Sequence, residues 1–326
     1  MEQLAEVVRL TREGALPVTA DAFALDRQAL PALGPGEVLV RIHYLSLDPY
    51  QRIRLRSLGP GDTPPGGALG QVLRSNDSSA PEGTWVTGEL GWRDHAVTTR
   101  DALTILDPDP AIPLHHYVGM LGLSGLTAYF GTTEVLRPKK HERIVVSGAY
   151  GAVGQIAVQI ARNSGAEVLG IIGSERKAKA LAQLGVTSVN YRDPAWVRRL
   201  IEWAPDGVDG YFDNVWGDTS SRVVEQLRPR GRVALCGQMT GLSDGRVAPL
   251  DIDWYLILTR SITLQGFRAV DYSDRWEDAR TELGRWYHRR ELSQEVNMLD
   301  GLAGVAQGFE DMLNGRTTGK TTVQVR

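Results

Sequence analysis

The segment Ile144-Val145-Val146-Ser147-Gly148-Ala149-Tyr150-Gly151-Ala152-Val153-Gly154 constrains this chain more than any other stretch. A short apolar run of the buried-strand type gives way to glycines at 148, 151 and 154. Apolar residues then recur at 153, 156, 157 and 160, the spacing of one helical face. The expectation is a strand, a tight glycine turn, and a helix from Ala152 to Asn163. Backbone N–H groups at such a helix start favour an anion, and glycine lets a phosphate come close. The spacing is G-x-x-G-x-x-G rather than the commoner G-x-G-x-x-G, and glycines alone also fit a turn with no ligand. The strand before and the helix after them favour the phosphate seat.

The same alternation continues downstream. Val168–Ile172, Ser188–Asn190, Gly210–Asp213, Val233–Cys236 and Ile262–Phe267 read as strands, with helices near 175–184, 194–203 and 218–227 between them. This predicts an α/β chain with a doubly wound, parallel, six-stranded Rossmann sheet. The first hundred residues read differently. Val38–Tyr44 alternates with period two, Trp85–Trp92 and Asp94–Thr98 give further strands, and residues 59–70 read as a loop because Gly and Pro crowd them. A helix is expected near 274–290. A last strand, Gly319–Val325, is expected to return to the N-terminal β-rich region. The domains so predicted are 117–291 for the dinucleotide-binding part, and 1–116 with 292–326 for the β-rich part.

Bulk properties exclude several classes. A length of 326 residues suits about two domains. A net charge of −3 argues against a nucleic acid or an anionic membrane held by bulk electrostatics. No apolar run of about 18 residues is present to span a bilayer, and the start MEQLAEVVRLTREG lacks a secretory core. One cysteine, Cys236, fits a reducing cytoplasm and cannot build a multi-cysteine zinc site. It falls in an expected core strand. His115 and His116 are adjacent, so in an extended segment they would point apart, and no metal is expected.

Nucleotide choice is read about twenty residues beyond the glycines, where NAD enzymes place an acid on the ribose. Here the strand ends in Gly173 and Ser174, followed by Glu175, Arg176 and Lys177. Small residues and two cations suit a ribose 2′-phosphate and favour NADPH, while Glu175 leaves an unphosphorylated ribose open.

These features, with Ser46-Leu47-Asp48-Pro49-Tyr50, Leu121–Gly131, Pro205–Asp209, Phe212-Asp213-Asn214-Val215, Gln265-Gly266-Phe267 and the terminal Gly319-Lys320, run almost the whole length. The chain resembles the zinc-free leukotriene 12-hydroxydehydrogenase and prostaglandin reductase branch of the medium-chain dehydrogenases, which includes curcumin-type and plant double-bond reductases. The resemblance implies a GroES-like catalytic domain for the β-rich part, a homodimer, and NADP(H) as cofactor. It implies that Gly151, Ala152, Val153 and Gly154 hold the pyrophosphate, that Gly173, Ser174 and Lys177 hold the 2′-phosphate, and that Tyr191 lies along the adenosine. Asn214, Cys236, Gly237 and Thr127 would line the nicotinamide end, and Phe267 would wall the cleft. Tyr50 would stand near the substrate carbonyl. Three positions depart from the family. Trp216 stands where many relatives have glycine. Thr259 stands where a tyrosine often lies, with Tyr255 one helical turn earlier as a substitute if the segment is helical. Thr317 replaces an asparagine near the Gly-Lys pair.

The implied chemistry is hydride addition to the β-carbon of an enone or enal. Tyr50 would stabilise the developing oxyanion, and Tyr255 or water would protonate the α-carbon. Three other readings stay open: an NADPH quinone reductase, a natural-product tailoring reductase or cyclase of the same fold, and a non-catalytic NADPH sensor.

Overall fold

A hairpin opens the chain in the computed structural model, which describes residues 4–13, 17–238, 249 and 251–325. Strands β1 (Leu4–Leu10) and β2 (Phe23–Ala29) pair antiparallel from Leu4↔Ala29 to Leu10↔Phe23. They are followed by β3 (Glu37–Ser46), a short turn of helix α1 (Gln51–Arg54), β4 (Gly67–Ser75), β5 (Trp85–Glu89), β6 (His95–Thr99) and β7 (Leu103–Leu106). Strand β3 buries Val38, Val40 and Ile42 on one face and Leu39 on the other, and it pairs with both β4 and β6. The loop expected over 59–70 is cut short, because Gly67–Gly70 already belongs to β4. Glycine there is a packing requirement: a Cβ on Gly70 would lie 2.4 Å from Val40 Cγ1.

From Leu123 the chain is α/β. Helix α2 (Leu123–Phe130) runs into a π-turn, Gly131–Leu136. Then come β8 (Arg143–Ser147), α3 (Gly154–Asn163), β9 (Glu167–Ile172), α4 (Glu175–Gln183), β10 (Thr187–Asn190), α5 (Trp196–Trp203), β11 (Val208–Asp213), α6 (Asp218–Val224), β12 (Leu227–Leu235), α7 (Trp254–Thr259), β13 (Thr263–Gly266) and α8 (Trp276–His288). The six strands form one parallel sheet in the order β10-β9-β8-β11-β12-β13. Its core gathers Val145, Leu169, Tyr211 and Val233 under Trp196 and Leu200. Helix α6 ends three residues before the expected 227, because Leu227 pairs with Val208 and starts β12 early.

The chain then adds β14 (Val296–Asp300), α9 (Val305–Leu313) and β15 (Lys320–Gln324). As the C-terminal β propensity predicts, β15 joins the N-terminal sheet, pairing with β3 from Thr322↔Ser46 to Gln324↔Tyr44. That sheet runs β14-β15-β3-β4-β5-β7, with β6 also on β3. Trp92 packs in its core against Phe23 and Phe309, at centroid distances of 5.3 and 5.1 Å. Two compact units result, Met1–Gly119 with Val296–Arg326, and Met120–Glu295.

Candidate functional site

Strand β8 lies between β9 and β11, so the sheet reverses its winding beside Ser147, the place where open α/β sheets take ligands. The turn after Ser147 has Gly148 at φ +56°, and its close at position 154 leaves no room for a side chain. A Cβ on Gly154 would lie 2.2 Å from the Gly148 carbonyl oxygen. Gly151 donates its N–H to that same oxygen at 2.9 Å. Ala152, Val153 and Gly154 thus enter α3 through a first turn whose N–H groups have no intrahelical acceptor, an arrangement suited to a pyrophosphate.

Across the switch point, Asp213 organises the second loop. Its fully buried carboxylate accepts from the Tyr211 hydroxyl at 2.9 Å, the Ser220 hydroxyl at 2.6 Å, and the Val215 and Trp216 N–H groups at 2.9 and 3.1 Å. The backbone oxygen of Asp213 accepts from the Cys236 and Gly237 N–H groups at 2.9 and 3.1 Å. Asn214 donates its N–H to Ser147 Oγ at 2.9 Å and its amide to the Ser147 carbonyl at 2.7 Å. The glycine turn, Asn214, Cys236 and Gly237 are therefore one bonded group. Cys236 follows the last residue of β12 and is half-buried, not in the strand core. Burial and the Asp213 charge push its thiol pKa upward, which disfavours the thiolate. Trp216 sits at φ +69°, a left-handed conformation that glycine adopts at no steric cost. Asp213 holds it there.

At the outer end of β9, Ser174 caps α4, its hydroxyl accepting the Lys177 N–H at 3.4 Å. Tyr191 is tied to β9 through its N–H on the Ile172 carbonyl at 3.0 Å. Its ring lies so close to Gly173 that a Cβ there would come within 2.7 Å of it. The Arg192 guanidinium stands 5.8 Å from the Tyr191 ring centroid. Burial, then the charges of Arg176 and Arg192, lower the Lys177 pKa. A dianion placed beside these cations would favour the charged form of Lys177. Arg192 escaped the sequence reading; the signal was its place directly after Tyr191 at the end of β10.

Thr127 spends its hydroxyl proton on the Leu123 carbonyl at 2.7 Å, leaving an acceptor only. Phe267 meets Phe212 edge-on at 6.0 Å, and a Cβ on Gly131 would lie 2.3 Å from its ring. The segment of Tyr255 is helical, as a substitute for the missing tyrosine requires. The Tyr255 ring is 70% exposed, and Thr259 bonds the Tyr255 carbonyl at 2.8 Å.

Tyr50 and Thr317 belong to the β-rich unit. Tyr50 precedes α1, and its hydroxyl reaches Glu89 Oε1 at 3.4 Å, long for an O–H donor and so weakly committed. Burial, then the Asp48 and Glu89 charges, push its pKa far up, so the phenol stays protonated. Behind it Lys320, fully buried, donates to Asp48 at 2.5 Å and to the Leu47 carbonyl at 2.8 Å. Sequence reading gave Lys320 no role. Thr317 is half-buried between α9 and β15. His115 and His116 do not point apart. They share a 3-10 turn, Leu114–Val118, where successive side chains rotate by about 120°, and their ring centroids lie 4.3 Å apart with the planes tilted by 50°. Among the described residues, no group of three or more His, Cys, Asp or Glu is placed to hold a metal ion.

A parallel sheet with a glycine turn at its switch point and cations beyond its second strand, in a chain that also carries a separate β-rich unit, defines a dinucleotide-binding protein. Residues 7–106 match the N-terminal domain of oxidoreductase family, and residues 152–284 match the zinc-binding dehydrogenase family. Prostaglandin reductase 1 of Mus musculus is 34% identical over 312 residues, 93% of each chain. The NADPH-dependent curcumin reductase of Escherichia coli (strain K12) is 32% identical over 318 residues, 93% of this chain and 92% of that protein. CurA from Vibrio vulnificus, solved in complex with NADPH, superposes with a TM-score of 0.89 at 29% identity, covering 98% of this chain and 99% of that one. The chain belongs to the medium-chain dehydrogenase/reductase family, in the branch of the prostaglandin and curcumin reductases.

Proposed function

We propose that this protein reduces the carbon–carbon double bond of α,β-unsaturated ketones and aldehydes with NADPH. The observation that carries this reading is the near full-length likeness to the prostaglandin and curcumin reductases, joined to a cation group that suits a 2′-phosphate. Bound NADPH supplies a hydride to the β-carbon of the alkene. The chain's own part begins with holding the nucleotide: Ala152, Val153 and Gly154 at the pyrophosphate, Ser174, Lys177 and Arg192 at the 2′-phosphate, and Tyr191 along the adenosine. Asn214, Cys236, Gly237, Thr127 and Phe267 shape the nicotinamide end, with Thr317 contributing from the β-rich unit. Tyr50 donates its O–H to the carbonyl oxygen as negative charge grows there. Its elevated pKa suits that work, because the group never arrives ionised. Tyr255, exposed on α7, or water protonates the α-carbon.

We further propose that the protein works as a cytoplasmic homodimer. A single cysteine in 326 residues suits a reducing compartment, and no described helix is long and apolar enough to cross a membrane. Sedimentation should give twice the mass of one chain.

The test is NADPH oxidation against a panel of enals, enones and quinones, with and without a chelator. Enal and enone turnover exceeding quinone turnover, unaffected by the chelator, supports the assignment. Turnover with quinones alone makes the protein a quinone reductase, and tight NADPH binding with no oxidation across the panel makes it a sensor.

A further inference from the structure

Helix α3 carries three side-chain amides at one-turn intervals, Gln155, Gln159 and Asn163, and all three bond the segment 291–295. Asn163 donates to the Glu291 carbonyl at 3.0 Å. Gln159 accepts the Ser293 N–H at 2.9 Å and donates to the Ser293 carbonyl at 2.8 Å. Gln155 does the same with Glu295, at 2.8 and 3.2 Å. Four helical residues rise about 6 Å and two extended residues about 6.5 Å, so amides spaced by four read alternate residues of an extended strap in register. Gln155 and Gln159 are buried, which makes these bonds costly to leave unmade.

The ladder ends on the glycine turn itself. Gln294 donates to the Ala152 carbonyl at 3.3 Å, and the Tyr150 hydroxyl donates to Glu295 Oε2 at 2.6 Å. Tyr150 lies between the glycines of the turn, and its ring is buried. We propose that Tyr150 is a positioning residue for the cofactor pyrophosphate. Through Glu295 it anchors the turn at 148–154 to a strap that α3 already holds, so the N–H groups of Ala152–Gly154 stay aimed at the seat before the cofactor arrives. Glu295 is also the last residue of its unit before the chain leaves for β14. The inference rests on the NADPH reading given above.

Tyr150→Phe removes one hydroxyl and keeps the buried ring. Titration by cofactor fluorescence should show NADPH affinity weakened about fivefold to tenfold, with kcat within twofold of wild type. Affinity for adenosine 2′-monophosphate, which lacks the pyrophosphate, should not change. Hydrogen exchange of the amides at 151–155 should quicken with no cofactor present. Glu295→Gln keeps an acceptor oxygen and should bind NADPH nearly as wild type does. Unchanged exchange and unchanged NADPH affinity in Tyr150→Phe overturn the positioning role alone, and equal loss of both nucleotides replaces it with general damage to the fold. Wild-type protein that binds the monophosphate but not NADPH overturns the functional reading and the positioning role together.

Discussion

Lys320 places its ammonium 2.5 Å from the Asp48 carboxylate with no exposure to solvent, two residues from Tyr50 and 272 residues away along the chain. The Leu47 carbonyl takes a second of its protons at 2.8 Å, and the Ser46 hydroxyl bonds the other side of Asp48. The turn that presents Tyr50 is therefore built on a buried ion pair supplied by the last strand of the sheet.

Removing one partner strands a charge. Lys320→Met should cost about 3–5 kcal/mol in urea unfolding. Lys320→Met combined with Asp48→Asn should cost less than the sum of the two single changes, because no lone buried charge is left. A fully additive pair would deny the coupling.

On the proposed NADPH reading, discrimination between nucleotides rests on Lys177 beyond β9 and Arg192 beyond β10. Lys177→Ala should raise KM for NADPH about tenfold to a hundredfold, and Arg192→Ala about threefold to tenfold, since charge-assisted bonds to a phosphate are lost. KM for NADH should move less than twofold in both. Equal effects on the two nucleotides would remove the 2′-phosphate role.

Tyr50→Phe should lower kcat about a hundredfold, the scale of one lost oxyanion donor, while NADPH affinity stays within twofold. Because burial and two carboxylates raise the phenol pKa above its ordinary 10, wild-type kcat should show no loss from phenol ionisation up to pH 10. Turnover that survives the substitution intact would leave Tyr50 a structural residue.

Two histidines make stability depend on pH. Burial, aided at His43 by Arg41, lowers the pKa of His43 and His115 below the ordinary 6.5. As pH falls below 6.5 the unfolded chain takes up protons that the folded chain refuses, so stability present above pH 6.5 is lost on acidification through the folded values. Urea midpoints measured from pH 8 to pH 5 should decline, and His115→Asn should flatten part of that decline. A variant with the wild-type slope would show that His115 titrates alike in both states.

Local pattern made much of this protein readable. The period-3.6 run after Gly154 became α3, the period-two run at 38–44 became part of β3, and the β-rich C-terminus returned to the first sheet, because each depends on which face of a short element is apolar. Errors came where a distant neighbour decided the outcome. Gly67–Gly70 read as a loop because glycine is a breaker by propensity, yet at Gly70 it answers to Val40 on the facing strand. In an extended segment His115 and His116 would point apart, but they lie in a 3-10 turn with ring centroids 4.3 Å apart.

The sequence by itself determined the parallel sheet, the glycine turn and the kind of cofactor the chain suits, since these are written in adjacent residues and their spacing. Tertiary structure alone decided that Lys320 supports the Tyr50 turn, that Arg192 joins Lys177, and that Tyr150 meets Glu295 across 145 positions. The physical reason is common to all three. A charge or hydroxyl selects its partner by distance and burial, and neither quantity exists until the chain has folded.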